Sequence, residues 1–468
     1  MSIKIVPKSK SQNNIIIDKK VDKPSDDKPG NVVIMHADTK PINEPDWIGL
    51  CQREAGKPIN NIANVLIALR HDPALSAAIA FNEMLQRAYL LKLPLNQKKS
   101  QNFTQRAVTD QDVTFLQEYL QLCGLNNIGK HAVHDAVDAR ARECSFHPVR
   151  ENLSELQWDG TERVDSWLST YLGAEKTPYT QGIGRMFIIS MVARVFEPGC
   201  KCDYMLVLEG AQGTRKSTAC AILGGQWFSD SLPDITGGKD VAQHLPGKWL
   251  IEIAEMSAMT RAESNHLKAF MTRRVEQYRP SFGRKEVKEP RQCVLVGTTN
   301  KSIYLKDETG GRRFWPLRTG KIHTDMLQKD RDQLFAEAVK LYHEGALWHP
   351  DAEFERQHIL PEQDARFETD PWEEPICDYI KMFNPKHLYI ASLCEKALEI
   401  SVPNRGRAIA NRIVAILERI GWQRLKKDAK GNVPWGPSIK WSTDNPDNPD
   451  KISLNPPSKN PLPKDYDL

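Results

Sequence analysis

Hydrophobic positions change their spacing twice along this chain. From residue 46 they recur at helical intervals, in NNIANVLIALRHDPALSAAIAFNEMLQRAYLL, DQDVTFLQEYLQLCG, KHAVHDAVDARARECSF and GIGRMFIISMVARVF. That spacing predicts a helical domain over 46–198. From 199 to about 350 the apolar runs shorten. DYMLVLEG, KWLIEIAEM and QCVLVGTTN alternate with helical stretches, as strands of a parallel sheet covered by helices on both faces do. Over 351–440 the helical spacing returns in WEEPICDYIKMF and YIASLCEKALEI, and GRAIANRIVAILERIGW sets Ile409, Ile413, Ile416 and Ile420 along one face. WQRLKKDAKGNVPWG then reads as two strands around a Lys-Gly-Asn turn, so this region is expected to be a winged-helix-like module. Residues 1–45 and 441–468 are polar and rich in Lys, Asp, Asn and Pro, and are expected to be disordered.

Composition narrows the class without choosing a partner. The chain has 468 residues, 40% hydrophobic and 26% charged, enough for several globular cores. A net charge of +4 neither demands nor excludes nucleic acid. Nine cysteines without framework spacing suit a reducing compartment. Cys200 and Cys202, with Cys144 and His147, lack the usual metal-site spacing and are read as ordinary thiols. The opening stretch has no apolar signal core, and no run approaches the ~20 apolar residues of a membrane span. A soluble protein of the cytoplasm, in a bacterial host and with no membrane partner, is expected.

The chemistry centres on LEGAQGTRKST, residues 208–218. The pattern G-x-x-x-x-G-K-[ST] cradles phosphates on backbone N–H groups and a helix N-terminus. Gly210, Gly213, Thr214, Arg215, Lys216, Ser217 and Thr218 are the nucleotide-binding candidates. Lys216 would reach the outer phosphates and the Ser217 hydroxyl would ligate Mg²⁺. The second glycine of the pattern is Arg215 here. An arginine can follow the same backbone path where its φ is negative.

Three downstream features point the same way. Glu252 lies inside the strand KWLIEIAEM and Glu255 at its end, where a carboxylate can hold Mg²⁺ or polarise water. Asn300, closing QCVLVGTTN, can orient water against a γ-phosphate. Arg312 and Arg313 in GGRRFWPL match the charge of a phosphoryl-transfer transition state. Singly, each has a plain alternative: a surface Glu at a strand end, a turn Asn, a surface basic pair.

These stretches, with WFSDSLPD, FHPVRENLSELQWDGTERVDSWLSTYLG and MVARVFEPGCKCDYMLVLEG, resemble the virulence-associated protein E family, which is similar to the superfamily 3 helicases of phages, plasmids and integrated elements. The resemblance extends over about 110–320 and, more weakly, the C-terminal segment. It implies an α/β fold with an AAA+-like P-loop ATPase core, assembled into a ring, usually a hexamer, around DNA. By that resemblance Lys216 and Ser217 are the Walker A pair, Glu255 is the Walker B acid with Glu252 as second carboxylate, and Asn300 is the sensor. Arg313, or its neighbour Arg312, is the arginine finger for the adjacent subunit's site. Arg279 matches a further motif between the Walker B strand and the sensor. The cofactors implied are ATP and Mg²⁺. The partners implied are single-stranded or forked DNA, further copies of the chain and other replication proteins.

Two basic stretches are the DNA-binding candidates. Residues 272–291 hold seven Lys/Arg and three Glu, and RPSFGRKEVKE has the look of a hairpin. In similar ring helicases such a hairpin grips the DNA backbone in the pore; Arg284 and Lys285 are the candidates, with Phe282 able to stack on a base. Residues 405–430 hold eight Lys/Arg against two acids. Arg405, Arg407 and Arg412 are expected on the polar side of a recognition helix, with Lys426, Lys427 and Lys430 on the wing. The sequence leaves three functions open: a helicase, a DNA-stimulated ATPase that remodels or packages DNA without unwinding, and a DNA-binding protein without turnover.

Overall fold

The computed structural model describes residues 45–92, 103–281, 285–305, 313–367, 370–404, 406–428 and 431–437. Phe282, Arg284, Arg312, Arg405 and Lys430 lie outside the described residues, as do the expected tails apart from Pro45.

The N-terminal region corrects the expectation of an all-helical domain. A short pair, β1 (Arg53–Glu54) and β2 (Lys57–Pro58), precedes α1 (Ile62–His71). The chain then turns into an antiparallel hairpin, β3 (Ile79–Asn82) and β4 (Arg87–Leu90), extended by β5 (Arg106–Ala107). After α2 (Asp110–Leu122) and α3 (Lys130–Glu143), β6 (Ser145–Phe146) joins β3 in parallel, completing a four-stranded sheet. Helical periodicity failed here for two reasons. Pro73 pushes Asp72 out of the helical region, to φ −69 and ψ 123, and the Asp72 carboxylate accepts Trp47 Nε1 at 2.9 Å. Every residue of β3 is buried, and a short apolar run buried on both faces has the same spacing in a strand as in a core helix.

Three helices lead to the central sheet: α4 (Pro148–Glu155), α5 (Trp167–Leu172) and α6 (Pro178–Phe196). Thr177 caps α6, which is buried on nearly every side, so its sequence carries no polar stripe. The sheet follows as β7 (Met205–Glu209), α7 (Lys216–Gly224), β8 (Phe228–Ser229), α8 (Lys239–His244), β9 (Leu250–Ile253), α9 (Arg261–Met271), the antiparallel hairpin β10 (Val275–Tyr278) and β11 (Val287–Pro290), then β12 (Val294–Thr299), β13 (Phe314–Arg318) and α10 (Thr324–His343). Its order is β13-β7-β12-β9-β8, with every neighbouring pair parallel. Side chains alternate between the faces. Leu206, Leu208, Val296 and Leu317 pack with Phe187 of α6 and Phe335 of α10. Met205, Val207, Ile251 and Leu295 pack with Leu267 and Phe270 of α9.

Past the sheet lie α11 (Ala352–Phe354) and α12 (Leu360–Asp364), then α13 (Glu373–Phe383), α14 (Ile390–Lys396), α15 (Arg407–Arg419) and the antiparallel pair β14 (Trp422–Arg424) and β15 (Trp435–Pro437). Ile413 and Ile416 are buried with Ile376, Leu393, Trp422 and Trp435, while Ile409 and Ile420 are partly buried at the edge of the same core. Among the described residues no helix is long and apolar enough to cross a membrane.

Candidate nucleotide site

Within the five-stranded sheet, β7 lies between β12, the third sheet strand to follow it in the chain, and β13, the sheet's last strand in the chain. Strand order reverses there, so the loop leaving the C-terminal end of β7 opens into a crevice. Gly210 begins that loop. A Cβ on it would stand 2.6 Å from Thr319 Oγ1, so only glycine lets the loop lie this close to the end of β13. Gly213 takes φ +79. Arg215 takes φ +68 and ψ 25, correcting the expectation of a negative φ. The backbone path is the one glycine would follow, and the arginine accepts the left-handed conformation at a cost of about 1–2 kcal/mol. Its Nη1 donates to Thr324 Oγ1 at 3.1 Å, at the start of α10.

Lys216 is the first residue of α7 and only 9% exposed. Its Nζ donates to the carbonyls of Gly210 and Ala211, both at 2.8 Å, and to Thr214 Oγ1 at 3.3 Å. Burial lowers its pKa, with the nearby Glu252 acting in the opposite direction. The Ser217 hydroxyl donates to Glu252 Oε1 at 2.7 Å, and Thr298 Oγ1 donates to the same oxygen at 2.7 Å. Glu252 is 2% exposed, and its Oε2 is buried without a hydrogen-bond partner.

That donor set fits Mg²⁺, which takes one or two protein oxygens and fills its remaining positions with phosphate and water. A serine hydroxyl beside a carboxylate with an unsatisfied oxygen supplies those protein oxygens. Glu252, read from sequence as the second carboxylate, is thus the one in contact with Ser217. Glu255 follows β9 in a left-handed turn at φ 52, exposed on the rim of the cleft. The cleft measures ≈ 440 Å³ and is lined by Gln212–Thr218, Ala254, Glu255 and Thr298–Asn300. That size is within the range of small-molecule sites.

The other candidates lie apart from it. Arg313 precedes Phe314, whose partner in the sheet is Met205, the first residue of β7. Arg313 therefore stands at the edge of the sheet opposite the phosphate loop, about 16 Å of strand away. Arg279 and Lys285 are exposed between β10 and β11. Arg407 opens α15, and Lys426 and Lys427 follow β14, all exposed. Arg412 is engaged within the chain: Nε and Nη2 bind the Asp370 carboxylate at 2.7 and 2.8 Å, and its guanidinium lies 3.8 Å from the Trp372 ring centroid.

Two residues at or beside the site escaped the sequence reading. Thr298 looked like one more strand residue, although a hydroxyl in an otherwise apolar buried run was a usable signal. Glu209 ends β7 and is 4% exposed; an acid directly after MLVL was the corresponding signal.

Residues 153–368 match the family described as the Virulence-associated protein E-like domain, and the chain carries that domain. Among solved structures, the apo structure of the NrS-1 C-terminal region (305–718) matches with a TM-score of 0.40 and 13% identity, over 76% of this chain and 95% of that one. An A-form apo structure of the same region gives 0.41 and 13%, over 77% and 96%. No curated protein matches the chain.

Proposed function

From the virulence-associated protein E-like domain at residues 153–368, we propose that this chain is an ATP-dependent DNA helicase serving replication of a phage or mobile genetic element. The observation that carries the reading is the contact of Ser217 with Glu252 beneath a phosphate loop at the strand-order reversal. Ser217 and Glu252 would hold Mg²⁺, which supplies positive charge against the β- and γ-phosphates. Loop amides and Lys216 bind the phosphates, the Lys216 amine exchanging the loop carbonyls for phosphate oxygens. On the cleft rim, Asn300 orients the water that attacks the γ-phosphorus and Glu255 accepts its proton, releasing ADP and phosphate. Arg313, at the far edge of its own sheet, serves the cleft of a neighbouring copy in a ring. Arg279 and Lys285 contact the DNA backbone, which is sequence-neutral and salt-sensitive.

The test is phosphate release from ATP, with and without single-stranded DNA, for wild type and Lys216→Ala. DNA-stimulated turnover that the variant loses supports the reading. Absence of turnover in the pure, assembled wild type overturns it and leaves a DNA-binding protein. Strand displacement on a forked duplex then separates a helicase from an ATPase that remodels DNA without unwinding.

A further inference from the structure

The phosphate loop and the loop carrying Asn300 leave two adjacent strands; Gly210 N–H donates to the Thr299 carbonyl at 3.2 Å at their start, and one arginine outside both adds a second tie further along. Arg366 lies just past α12. Its Nε donates to Glu209 Oε1 at 2.9 Å and Oε2 at 3.2 Å, and its Nη2 donates to Oε2 at 3.1 Å. Nη1 binds the Glu362 carboxylate and the Glu362 carbonyl, the latter at 3.2 Å. Glu209 is the residue before Gly210. The carbonyl of Arg366 accepts the backbone N–H groups of both Tyr304 and Leu305 at 3.1 Å, and Leu305 bridges Phe367. Tyr304 and Leu305 are four and five residues beyond Asn300, and both are buried. From the same short segment, Gln363 Nε2 donates to the Phe314 carbonyl at 2.7 Å.

We infer that Arg366 is a positioning residue for nucleotide hydrolysis: its side chain fixes the end of the phosphate-loop strand while its carbonyl fixes the chain after Asn300. The inference rests on the proposed ATPase reading. A guanidinium suits the task because its rigid fork meets both carboxylate oxygens of Glu209 at once, which a lysine ammonium cannot do. With the Glu209 side chain 6% and the Arg366 side chain 15% exposed, water replaces little of that contact. The arginine touches no lining residue of the cleft directly. It acts by setting how far the Asn300 amide stands from the outer phosphate, where a displacement of about 1 Å costs on the order of 10²-fold in rate.

The experiment compares wild type with Arg366→Lys, which keeps the charge, and Glu209→Gln, which breaks the fork from the other side. Steady-state ATP hydrolysis on the full chain is expected to show kcat lowered about tenfold or more in each, with KM changed less than about threefold. In an Asn300→Ala background neither substitution lowers kcat further, because the effect runs through Asn300. An unchanged kcat, a raised KM at constant kcat, or losses that multiply in the double variants overturns the inference. Amide exchange at Tyr304 and Leu305, measured without nucleotide, is expected to speed up in both variants, whereas a merely distant structural role leaves it unchanged. Unchanged exchange overturns the inference even in a chain that hydrolyses nothing. Faster exchange in a chain without turnover supports the coupling of the two loops and counts against the ATPase reading alone.

Discussion

The Ser217 hydroxyl and the Glu252 carboxylate are 2.7 Å apart, joining the first turn of α7 to a strand two places away in the sheet. Glu252 sits opposite Val296 in the register of β9 and β12, and Thr298 reaches the same carboxylate oxygen from β12. Position thus separates the two glutamates, which the resemblance ranks with Glu255 as the Walker B acid and Glu252 as the second carboxylate. Glu252 is the one bonded to Ser217, and Glu255 lines the rim of the cleft.

Glu252→Gln is expected to lower ATP turnover by about 10²–10³ and to raise the Mg²⁺ concentration needed for half-maximal rate. Glu255→Gln is expected to lower kcat by about 10²–10⁴ with the Mg²⁺ requirement unchanged, as loss of a general base does. Phosphate release titrated with Mg²⁺ checks both. A raised Mg²⁺ requirement in the Glu255 variant alone would reverse the assignment.

Arg215 occupies a glycine's conformation. Arg215→Gly relieves about 1–2 kcal/mol of left-handed strain. It gives up about 0.5–1 kcal/mol to chain entropy and a hydrogen bond of about 0.5–1.5 kcal/mol to Thr324. Stability is therefore expected to stay within about 1 kcal/mol of wild type, with nucleotide binding retained. Arg215→Val, β-branched at φ +68, is expected to lose both stability and nucleotide binding. Thermal melts with and without nucleotide distinguish the two.

Arg412 and the hairpin cations make opposite predictions for DNA. Arg412→Ala loses a half-exposed ion pair and a stacked guanidinium, together about 1 kcal/mol of stability, with the salt dependence of DNA binding unaltered. Arg279→Ala or Lys285→Ala is expected to leave stability unchanged and to reduce the slope of log K against log salt by about 1 each. Binding isotherms across a salt series measure this. A slope change for Arg412 equal to that for the hairpin residues would return it to the DNA surface.

His147 ties α4 to the sheet domain. Its Nδ1 accepts the Arg150 N–H at 3.1 Å, and its Nε2 lies 2.6 Å from Gln292 Oε1. Burial holds its pKa below the ordinary ~6.5 of histidine. The unfolded chain therefore binds this proton more readily than the folded one. Its contribution to stability is present above about pH 6.5 and is lost as pH falls from there to the lower folded value. Urea midpoints at pH 7.5 and 5.5 should fall more for wild type than for His147→Gln; equal falls would show that this imidazole does not titrate with unfolding.

Much of the core was legible because its signals are local. Short apolar runs bounded by turn residues marked β7, β9 and β12, and a glycine pattern before a helix marked the phosphate loop. The Ile spacing of α15 placed its buried side, and the two strands expected in WQRLKKDAKGNVPWG are β14 and β15. The N-terminal region was misread where the local signal is ambiguous: Ile79–Asn82 is a strand only because its neighbours bury both of its faces.

Sequence alone determined which residue types could bind phosphate and where β7, β9, β12 and α7 lie, since period and turn chemistry are properties of neighbouring residues; β8 and β13, which it read as no strand, were not marked. Tertiary structure decided the rest. It chose Glu252 as the partner of Ser217, placed Arg313 at the far edge of the sheet, turned Arg412 onto Asp370 and Trp372, and brought Arg366 to Glu209 across 157 positions. Strand order and register create those contacts, and both follow from the burial of whole faces, which no short stretch of sequence contains.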